Sequence, residues 1–200
     1  MKTMETVTAG KQTAVNEKPL DQGFHSGEDL FCMGDIGRAE LVGGKLHLMM
    51  LNGLEHGFLM NRIGNLLGAF VNRQGKGEVL TGEVGIYTRR SPDTVRGADV
   101  LYISKERFAK VQSESYLDVA PELIVEIISP NDRWADTMKK LEEYFNIGVK
   151  AVWIVDPRHR TVRVYRSPIS VERFADGDTL ACEDVLPGFQ CSITALFGTS

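Results

Sequence analysis

The run Pro-Glu-Leu-Ile-Val-Glu-Ile-Ile-Ser-Pro, residues 121–130, constrains this 200-residue chain more than any other stretch. It is apolar enough to be a buried strand, and a buried strand needs neighbours on both edges and cover on both faces. Two glutamates nevertheless sit inside it. Side chains alternate along a strand, so Glu122, Ile124, Glu126 and Ile128 share one face, while Leu123, Val125, Ile127 and Ser129 share the other. A buried carboxylate is costly unless it is paired, protonated or bound to a metal, so the rest of the chain must supply partners for these acids.

The remaining pattern predicts a sheet around this strand. Ala39 to Met50 has a Gly-Gly pair between two apolar runs, which is a hairpin signal. From about His56 to Val71, Leu59, Ile63, Leu66, Leu67 and Phe70 recur at spacings of three and four, an amphipathic helix that Gly75 and Gly77 end. Strands are expected at 77–88 and 95–104, divided by the turn-like Arg-Arg-Ser-Pro-Asp. A helix from about Asp136 to Ile147 is closed by Gly148. A hairpin over 151–157 and 161–167 follows, and 171–180 and 185–189 give short edge elements. The order implies a mixed α/β (α+β) domain with one central sheet. Residues 1–27 carry few large apolar groups and are expected to form a mobile tail, with the domain spanning 28–200.

With 42% hydrophobic and 25% charged residues, the chain can close one substantial core. A net charge of -4 excludes a uniformly basic nucleic-acid sleeve but leaves room for a local basic cleft. Cys32, Cys182 and Cys191 are odd in number and lack C-x-x-C spacing, so they read as reduced thiols. There is no membrane-length apolar stretch and no signal-peptide core, so a cytoplasmic location is expected.

In Val-Arg-Gly-Ala-Asp-Val-Leu-Tyr-Ile-Ser, Asp99 interrupts an apolar strand much as Glu126 does. Neighbouring strands lie about 4.8 Å apart, so carboxylates at facing positions repel unless a cation holds them, and hard oxygen donors suit Mg²⁺ or Mn²⁺.

These residues, taken with others, carry a family resemblance. Glu40-Leu-Val-Gly-Gly-Lys-Leu, His56 at a helix start, Ala-Asp99-Val-Leu-Tyr-Ile, Pro-Glu-Leu-Ile-Val-Glu126-Ile-Ile-Ser-Pro, Asp136-x-x-x-Lys140-x-x-x-Tyr144, Gly148-Val and Val-Trp153-Ile-Val-Asp156-Pro occur in that order. Over roughly residues 28–197 the chain resembles the Uma-type putative restriction endonuclease family, which is similar in fold to the P-D…(D/E)-x-K nucleases. The resemblance implies a restriction-endonuclease-like core whose mixed sheet is flanked by helices. It places Asp99 at the motif aspartate, Glu126 at the acid before the lysine and Glu40 at the amino-terminal acid. Two departures stand out. Ala98 replaces the usual proline, and Ile128 stands where the strand lysine would be. Lys140 matches members whose lysine has moved to the following helix, and Asp132, Asp136 and Lys140 recur every four residues.

The implied activity is Mg²⁺- or Mn²⁺-dependent hydrolysis of DNA, with RNA also open. Asp99, Glu126 and the Ile127 carbonyl would hold the metal, Lys140 would act on the attacking water and the transition state, and Glu40 would complete the metal's surroundings. Enzymes that cut both strands commonly work as dimers, so a homodimer is expected. The rival reading is a catalytically silent nuclease fold that binds nucleic acid or protein. Local alternatives stay open as well: Asp136 with Lys140 as a surface ion pair, Glu122 at a strand start near solvent, and His56 as a helix-start hydrogen-bonding residue. Tyr144 and Trp153 read as core aromatics, and Arg158-His-Arg-Thr-Val-Arg-Val-Tyr-Arg as either phosphate contacts or a charged sheet edge.

Overall fold

The computed structural model describes residues 23–130 and 132–198. The expected tail lies outside the described residues up to position 22. Within its last part, Ser26 caps helix α1 (Gly27–Cys32): its hydroxyl accepts from the Asp29 amide, and the Asp29 carboxylate accepts in return from the Ser26 amide. The Gly27 amide donates to Asp93, which ties this segment to the sheet.

The Gly43-Gly44 hairpin forms as expected, with β1 (Ala39–Val42) and β2 (Lys45–Leu48) on either side. Helix α2 (Leu54–Gln74) is longer than its apolar stripe foretold, and it stops at Gly75, whose φ of 63° is left-handed. The long antiparallel pair β3 (Gly77–Arg89) and β4 (Thr94–Ser104) leads into a short helix α3 (Lys105–Phe108). The opening run forms β5 (Leu123–Ile127), and helix α4 (Trp134–Asn146) follows it. Next come β6 (Ala151–Asp156), β7 (Thr161–Ser167) and the exposed edge β8 (Ser170–Phe174). The chain closes with β9 (Thr179–Ala181), β10 (Gln190–Ser192) and α5 (Ile193–Phe197). Residues 185–189, expected as an edge strand, form instead the turn before β10.

The main sheet runs β2-β1-β4-β5-β6-β7-β8, with β3 also paired to β4. It is mostly antiparallel, and β5 with β6 is the parallel pair. One face packs against α2 through Leu59, Ile63, Leu67 and Val71, which meet Val100, Val125 and Trp153. The other packs against α4, whose Leu141 and Tyr144 meet Leu101, Ile124, Val152 and Ile154. Cover on both faces explains why β5 and β6 are continuously apolar rather than alternating.

One irregularity positions the site. Along the edge opposite β3, β4 pairs with β1 at Val95 and with β5 at Val100 to Tyr102. Between these contacts, at residues 96–99, the sheet forks. Backbone groups inside the fork have no ladder partner, and buried amides and carbonyls demand one. Across β4, the β3 strand bulges between Thr81 and Val84, with Glu83 at a φ of 61°. Bulges of this kind re-aim side chains beside functional sites.

No helix among the described residues is long and apolar enough to cross a membrane.

Candidate active site

Side chains fill the fork. The Glu40 carboxylate on β1 accepts from the Gly97 amide at 3.0 Å, and the Asp99 carboxylate on β4 accepts from the Ile127 amide at 2.7 Å. The Gly97 carbonyl accepts from Lys140 Nζ at 2.7 Å. These acids therefore stand in for the missing ladder bonds and converge for that reason.

Lys140 answers half of the question posed by the apolar strand. Its ammonium lies 2.9 Å from Glu126 Oε2 and 3.1 Å from Glu40 Oε1. The other Glu126 oxygen accepts from the Tyr144 hydroxyl at 2.6 Å. Lys140 and Tyr144 are four residues apart on α4, one turn of the same face, which is how a single helix delivers both donors to one carboxylate. Lys139 and Asp136 are exposed. Lys140 thus turns inward, away from the surface ion pair with Asp136 that the spacing left open. Tyr144 lies in the core as expected, and its hydroxyl also serves the site.

Glu122 belongs to a different structure at the far end of β5. It accepts from the amide and hydroxyl of Ser104 at 2.9 and 2.7 Å and pairs with Arg107 at 3.1 Å. It is buried rather than near solvent, and it fastens the start of α3.

Asp99 receives a second partner from the opposite face of the sheet. His56 Nε2, from the first turn of α2, lies 3.2 Å from Asp99 Oδ2, and the imidazole is 8% exposed. His56 Nδ1 is buried without a hydrogen-bond partner among the described residues. The histidine that marks the helix start is therefore a direct neighbour of the candidate motif aspartate.

Behind Glu40 lies a pair that sequence reasoning passed over. Arg96 donates to Glu40 Oε2 at 2.8 Å and forks onto Glu143 at 2.6 and 2.9 Å. Glu143 stands three residues after Lys140, on the same helix flank. That spacing, together with an arginine inside an apolar strand, was the available signal.

Burial opposes the charge of Lys140, yet Glu126 and Glu40 outweigh it and hold the ammonium well above the usual lysine range. Burial likewise pushes Glu126 up to about 7, with the Asp99 charge adding to it and Lys140 working against it. Two carboxylates converge on this one ammonium, which keeps it charged. Glu126 keeps 14% of its side chain exposed and so escapes part of the cost of burial. Burial would also raise Glu40, but Lys140 and Arg96 overcome it and hold that carboxyl low. Burial opposes the His56 charge, while the Asp99 hydrogen bond and charge draw its pKa up.

The donor chemistry fits a hard divalent cation. Glu40, Asp99, Glu126 and Glu143 face two permanent cations, Arg96 and Lys140, with His56 beside Asp99 as a third, titratable partner. The amide of Ile127 points at Asp99, and in a strand the carbonyl of the same residue points to the same edge. Asp99, Glu126 and the Ile127 carbonyl thus border one place. Among the described residues no group of three or more His, Cys, Asp and Glu side chains is placed to hold a metal ion.

The basic hairpin is largely committed to internal pairs. Arg160 binds Asp176, His159 binds Asp156, and Arg166 binds Asp184. This favours the charged-edge reading for those residues. All three cysteines are free thiols.

A solved structure with this fold is "a putative nuclease belonging to DUF820" from Anabaena variabilis. It is 20% identical, with 80% of this chain and 89% of that chain covered and a TM-score of 0.68. No functionally curated protein matches the sequence. Residues 28–194 match the sequence profile of the Uma2 family, described as "Putative restriction endonuclease", and this covers the fork, both helices that flank it and every candidate site residue. The chain belongs to the Uma2 family.

Proposed function

We propose that this protein is a divalent-metal-dependent nuclease that hydrolyses phosphodiester bonds in DNA. The observation that carries the reading is the delivery of Lys140 from α4 to within 2.9 Å of Glu126, beside Asp99 on the neighbouring strand. Two acids and a lysine thus meet although the strand itself has Ile128 where a lysine would stand.

Asp99, Glu126 and the Ile127 carbonyl would hold Mg²⁺ or Mn²⁺, which when bound supplies charge neutralisation at the phosphate and a more acidic water. Lys140 stays an ammonium in its carboxylate cage, so its role is to stabilise negative charge growing on the phosphate oxygens rather than to take a proton. Glu40 aims that ammonium: one of its oxygens holds Lys140 and the Gly97 amide, and the other is held by Arg96. Tyr144, kept protonated by burial and by the Glu126 charge, orients Glu126. As the water oxygen bonds to phosphorus, one ester oxygen departs and takes up the water's proton. A homodimer accounts best for cutting both strands.

The test is conversion of supercoiled plasmid to nicked circles by purified protein with Mn²⁺. Cleavage is expected to vanish with chelator and in Glu126→Gln. Cutting that survives in Glu126→Gln would assign the activity to a contaminant and favour a silent nucleic-acid-binding or protein-interaction fold.

A further inference from the structure

Trp134, the first residue of α4, has no place in the core that the rest of its stripe builds. Met138, Leu141 and Phe145 follow it at helical spacing and pack against the sheet, while Trp134 stays 47% exposed. The indole is nonetheless built in rather than loose. The Arg163 guanidinium of β7 stands 5.5 Å from the ring centroid and is itself 3.7 Å from Asp156. That leaves the residue a cation on one side and about half of its surface open. Next to it, Arg133 is exposed and has no ion-pair partner among the described residues.

The position of this ring relative to the fork gives it a use. Trp134 precedes Lys140 by six residues, about 9 Å along the helix axis and about 120° around it. Its neighbour Arg163 lies in the aligned row Glu126, Ile154, Arg163, two strand spacings or about 10 Å from Glu126 across the sheet. Either separation is close to three base steps of a stacked strand, at about 3.4 Å each. An aromatic face beside arginines, within reach of a site built for phosphate, has the chemistry of a base-stacking platform. A base within a duplex has both faces covered by its neighbours and cannot use such a platform.

We propose that Trp134 stacks on an unpaired base of the substrate strand, so that the preferred substrate is single-stranded nucleic acid or a duplex with a single-stranded segment. This rests on the nuclease reading and specifies its substrate class.

The chain has two tryptophans, and Trp153 is fully buried, so a change in indole emission on adding nucleic acid reports on Trp134. The full-length protein is titrated with single-stranded oligothymidylate under chelator, which prevents turnover, and in parallel with a long blunt duplex. The single strand should quench the emission and the duplex should not. By anisotropy of a labelled strand, Trp134→Ala should bind about 5- to 140-fold more weakly. Phe108→Ala removes an exposed aromatic at the far end of the sheet and should bind as the parent does. Binding without quenching, or unchanged affinity in Trp134→Ala, overturns the platform while leaving the nuclease reading intact. Equal quenching by the duplex overturns the preference for unpaired bases. If no nucleic acid binds and metal-dependent cleavage is also absent, both readings fall together, and a protein or membrane partner becomes the occupant to seek.

Discussion

Replacing Lys140 separates the proposed chemistry from a surface role, and the structure sets the size of the effect. Lys140→Ala removes the one ammonium shared by Glu126 and Glu40, and its side chain is only 18% exposed. Removing one partner of a buried ion pair costs about 3–5 kcal/mol, because the carboxylates left behind stay desolvated. For a chain of this size each kcal/mol lowers Tm by about 2–4 °C, so a drop of roughly 6–20 °C is expected. Lys139→Ala, on the exposed side of the same helix, should stay within about 0.5 kcal/mol of the parent. Added Mn²⁺ should restore much of the loss in Lys140→Ala, since bound cation stabilises the folded state by mass action and now meets less competing positive charge. Metal affinity should therefore be equal to that of the parent or higher, while nicking at saturating Mn²⁺ should be lost. Thermal melts with and without Mn²⁺, read beside plasmid nicking for both variants, decide the matter. If the two variants melt alike or lose nicking alike, Lys140 is not the cation of this site.

Asp99→Ala should lower Mn²⁺ affinity in calorimetry at least tenfold, and an unchanged binding isotherm would place the metal elsewhere. His56→Ala removes the second partner of Asp99; it should weaken Mn²⁺ binding about 10- to 100-fold, and His56→Gln should recover part of the loss by hydrogen bonding alone. Glu40→Gln should destabilise the protein more at pH 7 than at pH 3.5: a carboxyl held low when folded contributes stability that is fully present above its unfolded value of about 4.5 and is lost as pH falls through the folded value. Denaturant melts of parent and variant at the two pH values should therefore converge on the acid side. Cys182 is pushed up to about 12 by burial and stays a neutral thiol at pH 8, and Cys191 is also buried, so of three thiols only Cys32 should react quickly with a thiol reagent in the native state.

The elements of the fold were legible wherever the pattern was long. The stripe from Leu59 to Phe70, the apolar runs of β5 and β6, and the Gly-Gly hairpin each name their own structure, because burial on a defined face writes a period into the chain. Asp99 and Glu126 stood out for the same reason, as acids where the period calls for apolar residues, whereas Glu40 was picked out by the family resemblance alone. Arg96 also interrupts an apolar strand, but Glu143 alone is an ordinary helix charge, and the meaning of the pair lies in a contact across 47 positions. The roles of Ser104 and Arg107 as partners of Glu122 were hidden likewise, since nothing local marks an acid as a clamp rather than a ligand. Trp134 continued the α4 stripe and would pass for core on periodicity; only the end of the sheet decides that it does not reach cover.

The fork explains why a lysine from a helix can replace one from the strand. Ile128 packs with the apolar cluster under α4, so a lysine there would exchange apolar burial for a charge that must reach around the strand end. A lysine on α4 approaches from above the sheet, and its four-carbon stem can lie along apolar surface while the ammonium enters the fork. There it meets more than Glu126. The Gly97 carbonyl, freed by the split between β1 and β5, and Glu40, held in turn by Arg96, give it three acceptors. A strand lysine would reach Glu126 and Asp99 from within the same strand pair, whereas Lys140 ties β1, β4 and β5 to α4 through one atom. On the proposed assignment, the position of Lys140 couples the alignment of its ammonium to the closure of the fork. A substitution that opens the fork without touching a ligand, such as Arg96→Met, should then misplace Lys140 and cost nicking rate at saturating Mn²⁺ far more than it costs Mn²⁺ affinity. Equal losses in the two measurements would show that Arg96 supports the metal ligands rather than the lysine.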